Sequence, residues 1–410
     1  MPRTTRLHVE SLEDRCVPDG NVTVFTDGLN NLIIQGDSAN NAIVIEQLGA
    51  TEALQIAGRN NTLINGSEEP FTAYIAAEPR GSIRVNMNAG NDSVVVRNLN
   101  QTVNQLFGDI TINLGRGGGS LWVEEVQNFF GQFRVLAGNG SFFTKWTNFA
   151  ITGPVEIDAR NTPRAIVQMQ IGDSPYLGQL SALQLRTGRG HDFITLRGRF
   201  LTDVTPPRVQ PLTVGDRLVL ESGAGNDTIR FDYVEVRGST SLRTGAGGDV
   251  LQVLESDFIG AVLSQLEAGN DTMNVQGGTF QRGLDILSGG TSPDEDRVVA
   301  AGINLNGNLK ITTGDGDDSI AVAGLQIAGL PGTTQGQLLI RSGQGQDYVE
   351  LISTSIAREM VIDLGAGNDS IVFSFVNVGG RAYLDGGQGT NILLRVGLRV
   401  PRGLTVANFP

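Results

Sequence analysis

A glycine-rich turn closed by aspartate recurs about every 22 residues, and a fixed period of that length restricts a chain to a stacked repeat architecture. Gly223-Ala-Gly-Asn-Asp227 is the clearest copy. Gly245-Ala-Gly-Gly-Asp249, Glu267-Ala-Gly-Asn-Asp271, Gly314-Asp-Gly-Asp-Asp318, Gly343-Gln-Gly-Gln-Asp347 and Gly365-Ala-Gly-Asn-Asp369 repeat it. With Asp296 included, the aspartates are 22, 22, 25, 22, 29 and 22 residues apart, and Asn391 takes the next place 22 residues on. Gly188-Arg-Gly-His-Asp192 and Ala89-Gly-Asn-Asp92 carry the pattern upstream. Gly115-Arg-Gly-Gly-Gly119 and Ala137-Gly-Asn-Gly140 keep the glycines and lose the acid.

A short alternating segment follows each turn, as in Thr228-Ile-Arg-Phe, Ser319-Ile-Ala-Val and Ser370-Ile-Val-Phe. Period-two alternation reads as a half-buried strand. A second apolar pair (Val234-Glu-Val236) and a third (Leu309-Lys-Ile311) complete each unit. No segment holds a 3.6-residue apolar period long enough for a helix. One coil cannot bury its own apolar face, so successive coils must stack. The sequence therefore predicts an all-β fold: a parallel β-helix with three short strands per coil, right-handed by the preference of parallel crossovers. The 13 or 14 coils would make a rod about 60–65 Å long.

The expected organisation is a tail at 1–20, a β-rich cap with the first coils at 21–88, and the β-helix at 89–410. Caps are expected where a stack would otherwise expose edge strands. The apolar segment Gly403 to Pro410 offers little cover, which favours self-association. Three insertions, 172–179, 202–215 and 330–336, are expected between the last strand of one coil and the first strand of the next, and so to emerge on one side of the rod, a common place for a binding face.

Composition narrows the function classes. Glycine is 55 of 410 residues without a three-residue period, which excludes collagen. The formal charge is −13, and no basic run of five or more appears, so nucleic acid and anionic membranes are poor partners. Cys16 is the one cysteine, and His8 and His191 are the two histidines. That rules out an internal disulfide and a Cys₂His₂ zinc site. No stretch of 18 apolar residues exists to span a membrane, and residues 1–20 lack the apolar core of a Sec signal.

Glycines permit the sharp bend, and the aspartate can accept hydrogen bonds from nearby backbone N–H groups. Stacking raises a difficulty. Like charges about 5 Å apart repel by about 0.8 kcal/mol in water and roughly 3 kcal/mol at an effective dielectric of 20. Outward splay, raised pKa values, backbone donors or bound cations would each relieve it.

These turns resemble the hemolysin-type (RTX) calcium repeat, Gly-Gly-x-Gly-x-Asp-x-apolar-x, which binds Ca²⁺ between stacked turns. Ser222-Gly-Ala-Gly-Asn-Asp-Thr-Ile229 matches its second half, and Asp385-Gly-Gly-Gln-Gly-Thr-Asn391 keeps both glycines but ends in Asn. The resemblance implies Asp227, Asp249, Asp271, Asp296, Asp318, Asp347 and Asp369 as candidate Ca²⁺ ligands. Two departures weigh against it: the first Gly is usually Ser, Thr or Leu, and each 22-residue coil has one such turn. The N-terminal run Arg6-Leu-His-Val-Glu-Ser-Leu-Glu-Asp-Arg-Cys-Val-Pro18 resembles a short motif that opens many large surface repeat proteins of planctomycete bacteria. It implies export to the cell surface or extracellular space.

Some parallel β-helices are polysaccharide lyases and hydrolases, which need convergent carboxylates. Asp232, Glu235, Glu255 and Asp257 are the candidates outside the turn column, with Arg230 or Arg237 beside them. His191 next to Asp192, and Lys145-Trp146 among Phe142, Phe143 and Phe149, are further sites to locate. The expected function is a non-catalytic, exported structural or adhesive solenoid, with calcium as a possible stabiliser and a polysaccharide or surface protein as partner. A pectate-lyase-like enzyme is the alternative.

Overall fold

The computed structural model describes residues 20–49, 53–74, 81–100, 108–172, 178–202, 206–289, 294–330 and 332–410. The N-terminal motif with His8 and Cys16 lies outside them. The described residues form a β-solenoid of about 13 turns without helix, built of parallel stacked strands. Within a representative coil, Thr228–Asp232, Val234–Val236 and Thr240–Arg243 are the three expected strands. The first strands of all coils form one 16-stranded sheet, and the second and third strands share a 25-stranded sheet that bends around the rod.

Register is kept by the two-residue period, because a one-residue slip would turn every buried side chain outward. Ile229 lies over Leu251, and Leu251 over Met273. Phe258 lies over Phe280 and Leu242 over Ser264. Phe258 and Phe280 stack with centroids 4.9 Å apart. These side chains form one continuous core from Val22 to Leu384.

The bend between the first and second strands needs one residue of positive φ. Gly277, Gly302 and Gly324 supply it cheaply, but Tyr233, Glu255, Ser353 and Phe375 occupy the same place at φ 44–56°. Non-glycine residues there cost about 1–2 kcal/mol each, and stacking holds them.

At the N-terminal end the cap is antiparallel. Ala53–Gly58 pairs with Ala42–Gln47 on one side and Phe71–Tyr74 on the other. Gly20–Thr26 pairs antiparallel with Leu32–Gln35, which then runs parallel to Ile83–Asn86. At the other end Leu404–Ala407 adds one parallel strand over Ala382–Asp385. Ile392–Val396 pairs on one side only, with Ile392, Leu394 and Val396 exposed.

The expectation that the three insertions lie between the last strand of one coil and the first of the next, on one side of the rod, is corrected. Insertions 172–179 and 202–215 both follow the first strand of adjacent coils, after Ala165–Gln170 and Phe193–Arg197. The second contributes a small hairpin, Arg199–Leu201 with Arg208–Gln210. Insertion 330–336 instead lies between the second strand, Gln326–Ile327, and the third, Leu338–Gln344, at a different corner.

Candidate functional site: a buried carboxylate column

The turn aspartates stack in register, and they point into the wall rather than out of it. Asp192, Asp227, Asp249, Asp271, Asp296, Asp318, Asp347 and Asp369 are all buried, none more than 2% exposed. Each carboxylate accepts a hydrogen bond through Oδ1 from the backbone N–H of the column residue in the preceding coil. Asp192 N donates to Asp227, Asp227 N to Asp249, and the pattern repeats through Asp369 N to the amide oxygen of Asn391, over eight bonds of 2.7–3.0 Å. Ala165 N donates to Asp192 and starts the series. The uninterrupted column thus begins at Asp192, one coil before the start that the 22-residue spacing indicates. The 35-residue step from Asp192 to Asp227, which carries the 202–215 insertion, hides the continuity in the sequence.

The second oxygen, Oδ2, has no hydrogen-bond partner in Asp92 or in any of the eight. A buried carboxylate with an unpartnered oxygen is costly when charged, so its pKa rises. Desolvation pushes Asp271 up to about 8, Asp227 and Asp318 to about 7, and Asp296 and Asp347 to about 6. Asp249 and Asp369 rise for the same reason. The like-charge problem of stacking is therefore met by backbone donors and partial neutralisation, without outward splay.

Five residues before most column aspartates stands a buried hydroxyl: Thr187, Ser222, Thr244, Thr313 and Ser342. Each donates to a main-chain carbonyl one coil on, for example Ser222 Oγ to Thr244 O at 3.0 Å and Thr244 Oγ1 to Leu266 O at 2.7 Å. These hydroxyls also oppose the upward shift of Asp227, Asp249, Asp318 and Asp347. Asp271 has Leu266 at that place and rises furthest of the five values given. This is the position where the turns depart from the Gly-Gly-x-Gly-x-Asp pattern. The departure is visible in the sequence, but its meaning needs the inward direction of the aspartate.

The residue before the aspartate forms an outer series on the exposed side. Asn226 Oδ1 accepts from Gly248 N, Asn270 Oδ1 from Glu295 N, and Asn368 Oδ1 from Thr390 N. The second glycine of the turn lets coils approach. At Gly247 φ is 136°, and a Cβ would lie 2.1 Å from the carbonyl oxygen of Gly225.

The other candidates fall elsewhere. Glu235 and Asp257 do stack in register. Asp232 is held by Arg230 through both oxygens at 2.8 Å, and Glu235 is paired with Arg237 at 2.6 Å. His191 is exposed in its turn, with Nδ1 accepting from Asn226 N at 3.1 Å. Trp146 is fully buried, donates Nε1–H to Thr144 Oγ1, and packs edge-on to Phe133 and Phe149. Lys145 lies on the outer face, in register with Trp122.

Calcium takes six to eight oxygens. Among the described residues no three Asp, Glu, His or Cys side chains gather closely enough to hold a metal ion. An ion on this column would draw most of its ligands from hydroxyls and main-chain carbonyls, beside the unpartnered Oδ2 atoms. Comparison with family models, with curated proteins and with solved structures found no match to this chain.

Proposed function

We propose that this chain is a non-catalytic structural or adhesive solenoid that works at the cell surface or outside the cell. The observation that carries the reading is the inward column. The one ionisable side chain that recurs through the repeat is spent on joining coil to coil, out of reach of any substrate. Two of the acids named as catalytic candidates, Glu235 and the buried Asp232, are paired with Arg237 and Arg230. The surface location rests on the resemblance of residues 6–18 to an export motif. Protease treatment of intact cells tests it. The protein is expected to be cleaved or shed without lysis; full protection until lysis overturns the location. Incubation with acidic polysaccharides, following unsaturated product by absorbance, is expected to show no turnover.

A calcium-stabilised form of the same reading draws on the row of unpartnered Oδ2 atoms, which are the remaining acceptors on Asp227 through Asp369. Under that reading, added Ca²⁺ raises the melting temperature and EDTA reverses it. An unchanged melt in both removes calcium from the account.

A further inference from the structure

At the corner between second and third strands, three arginines from successive coils surround an open cleft of about 600 Å³. Arg358, Arg381 and Arg402 line it, with Thr334, Gln337 and Glu359 at its side and Ala357 and Gly380 among its lining. The strand registers place Arg358, Gly380 and Arg402 in one column, two residues before Met360, Ala382 and Leu404. Arg381 is offset by one residue and stands in register with Glu359. Parallel stacking sets Arg358 and Arg402 about 9.6 Å apart along the rod, with the side chain missing at Gly380 between them. A Cβ on Gly380 would approach Arg358 C and O at 2.5 Å, so the gap is required by the backbone's close approach.

All three guanidinium groups are exposed, and among the described residues none forms an ion pair or a side-chain hydrogen bond. Elsewhere in this acidic chain Arg97, Arg186, Arg230, Arg237 and Arg243 each have a carboxylate partner. Here the nearby acid, Glu359, accepts from Gln337 Nε2 instead. Clustered like charges in a cleft cost repulsion and focus a field that attracts anions. The 330–336 insertion helps to build the cleft. Asn308 Oδ1 anchors it by accepting from Gly336 N and Gln337 N, and Gly336 O accepts from Arg358 N.

We propose that this cleft binds an acidic polysaccharide lying along the rod, with uronate carboxylates on Arg358, Arg381 and Arg402. This rests on the adhesive reading above and gives it a ligand class. Guanidinium groups match carboxylates in paired hydrogen bonds. Thr334, Gln337 and Glu359 offer donors and acceptors for sugar hydroxyls. The lining has no aromatic ring on which a nucleobase could stack, and Glu359 disfavours a polymer as densely charged as nucleic acid.

The test is binding of the full chain to polygalacturonate and alginate, with dextran and heparin beside them, at low and high salt. Arg358→Gln, Arg381→Gln and Arg402→Gln are made singly and together, with Arg217→Gln as an exposed control of equal charge change, and circular dichroism checks each fold. Each single variant in the cleft is expected to weaken polyuronate binding about tenfold and the triple variant at least about a hundredfold. Arg217→Gln is expected to leave binding unchanged. Wild-type binding to none of the polymers, binding to heparin without binding to either polyuronate, or equal loss in Arg217→Gln would each overturn the proposal. Tight binding by a folded triple variant would do the same. None of these results bears on where the protein resides, so the surface assignment stands or falls separately by protease treatment of cells.

Discussion

The upstream and downstream halves of the rod solve one problem in two ways. In both, the column residue must place its backbone N–H on the following coil. Upstream, Asn41 N donates to Asp92 Oδ1, but in the next three coils main-chain carbonyls take it: Asp92 N donates to Gly118 O, Gly119 N to Ser141 O, and Phe142 N to Arg164 O. From Ala165 onward a carboxylate or amide side chain takes it, through to Asn391. The interior adjusts to match. Gly119 faces Leu114, whose Cδ1 would lie 2.8 Å from an added Cβ. Phe142 and Ala165 fill the next two places, and Phe142 occupies the aspartate's register where a simple turn alignment would put Gly140. Downstream, a small hydroxyl residue stands beside five of the acids, while Leu266 and Leu364 hold that place before Asp271 and Asp369. The comparison teaches that the aspartate acts as a stand-in for a peptide carbonyl.

The largest expected effect comes from breaking the downstream half alone. Gly247→Val places a side chain on the Gly225 carbonyl at positive φ and is expected to cost more than about 4 kcal/mol. Solenoid coils contact mainly their neighbours, so limited proteolysis should leave an upstream fragment intact while the downstream coils are digested. Uniform digestion of both halves would show that they do not fold as separable stretches.

Next in size, Asp249→Ala leaves the Asp227 N–H without its acceptor and opens a small cavity. The expected cost is about 2–3 kcal/mol, measured by thermal unfolding at pH 5. A negligible change would mean that the peptide turns to the upstream arrangement when the acid is removed.

A pH series separates the halves again. Asp227, Asp249, Asp271, Asp296, Asp318, Asp347 and Asp369 have folded pKa values raised above the ordinary 3.8. Their contribution is fully present below that unfolded value and is lost as pH rises through about 6 to 8. Asp27, Asp37, Asp158 and Asp385 are shifted downward, so their contribution is lost as pH falls below the ordinary carboxylate range. Stability is expected to peak between about pH 4 and 6 and to decline toward pH 9 mostly in the downstream half. Asp271→Asn keeps the acceptor and removes the charge, as Asn391 already does, and should raise the pH 9 melting point by about 1–3 kcal/mol of stability. A flat profile from pH 5 to 9 would contradict partial neutralisation.

The smallest effect tests whether the downstream device can be written upstream. Gly119→Asp alone should destabilise against Leu114. Leu114→Thr with Gly119→Asp should recover about 1 kcal/mol or more of that loss. Additive losses would show that Leu114 is not what keeps an acid out of this coil.

The architecture was legible because its signals are local and repeated: alternation after each turn, and glycines that only a tight bend requires. The direction of the aspartate was not legible. Glycine-rich turns serve outward ion sites and inward hydrogen-bonded acids equally well, and only the backbone N–H of the preceding coil, placed by the fold, decides. The 35-residue step hid Asp192 from the column. The corners of all three insertions were misplaced, and before 330–336 the strand Gln326–Ile327 is only two residues long, too short to show alternation. The arginine cleft was invisible because Arg358, Arg381 and Arg402 are 23 and 21 residues apart, and only the fold brings them to one corner.

The carboxylate series also has a sense of travel. Asp227 gives its N–H to Asp249 and its carbonyl to Val250 N, so both main-chain groups of a column residue are satisfied by the coil synthesised after it. A chain emerging amino end first always carries one raw edge at its growing front, healed by the next 22 residues. Asn391 closes that front, because its amide turns back to donate to Gly386 O and Asn408 O. The rod is thus written to close like a zip, from its capped end outward, one tooth per coil.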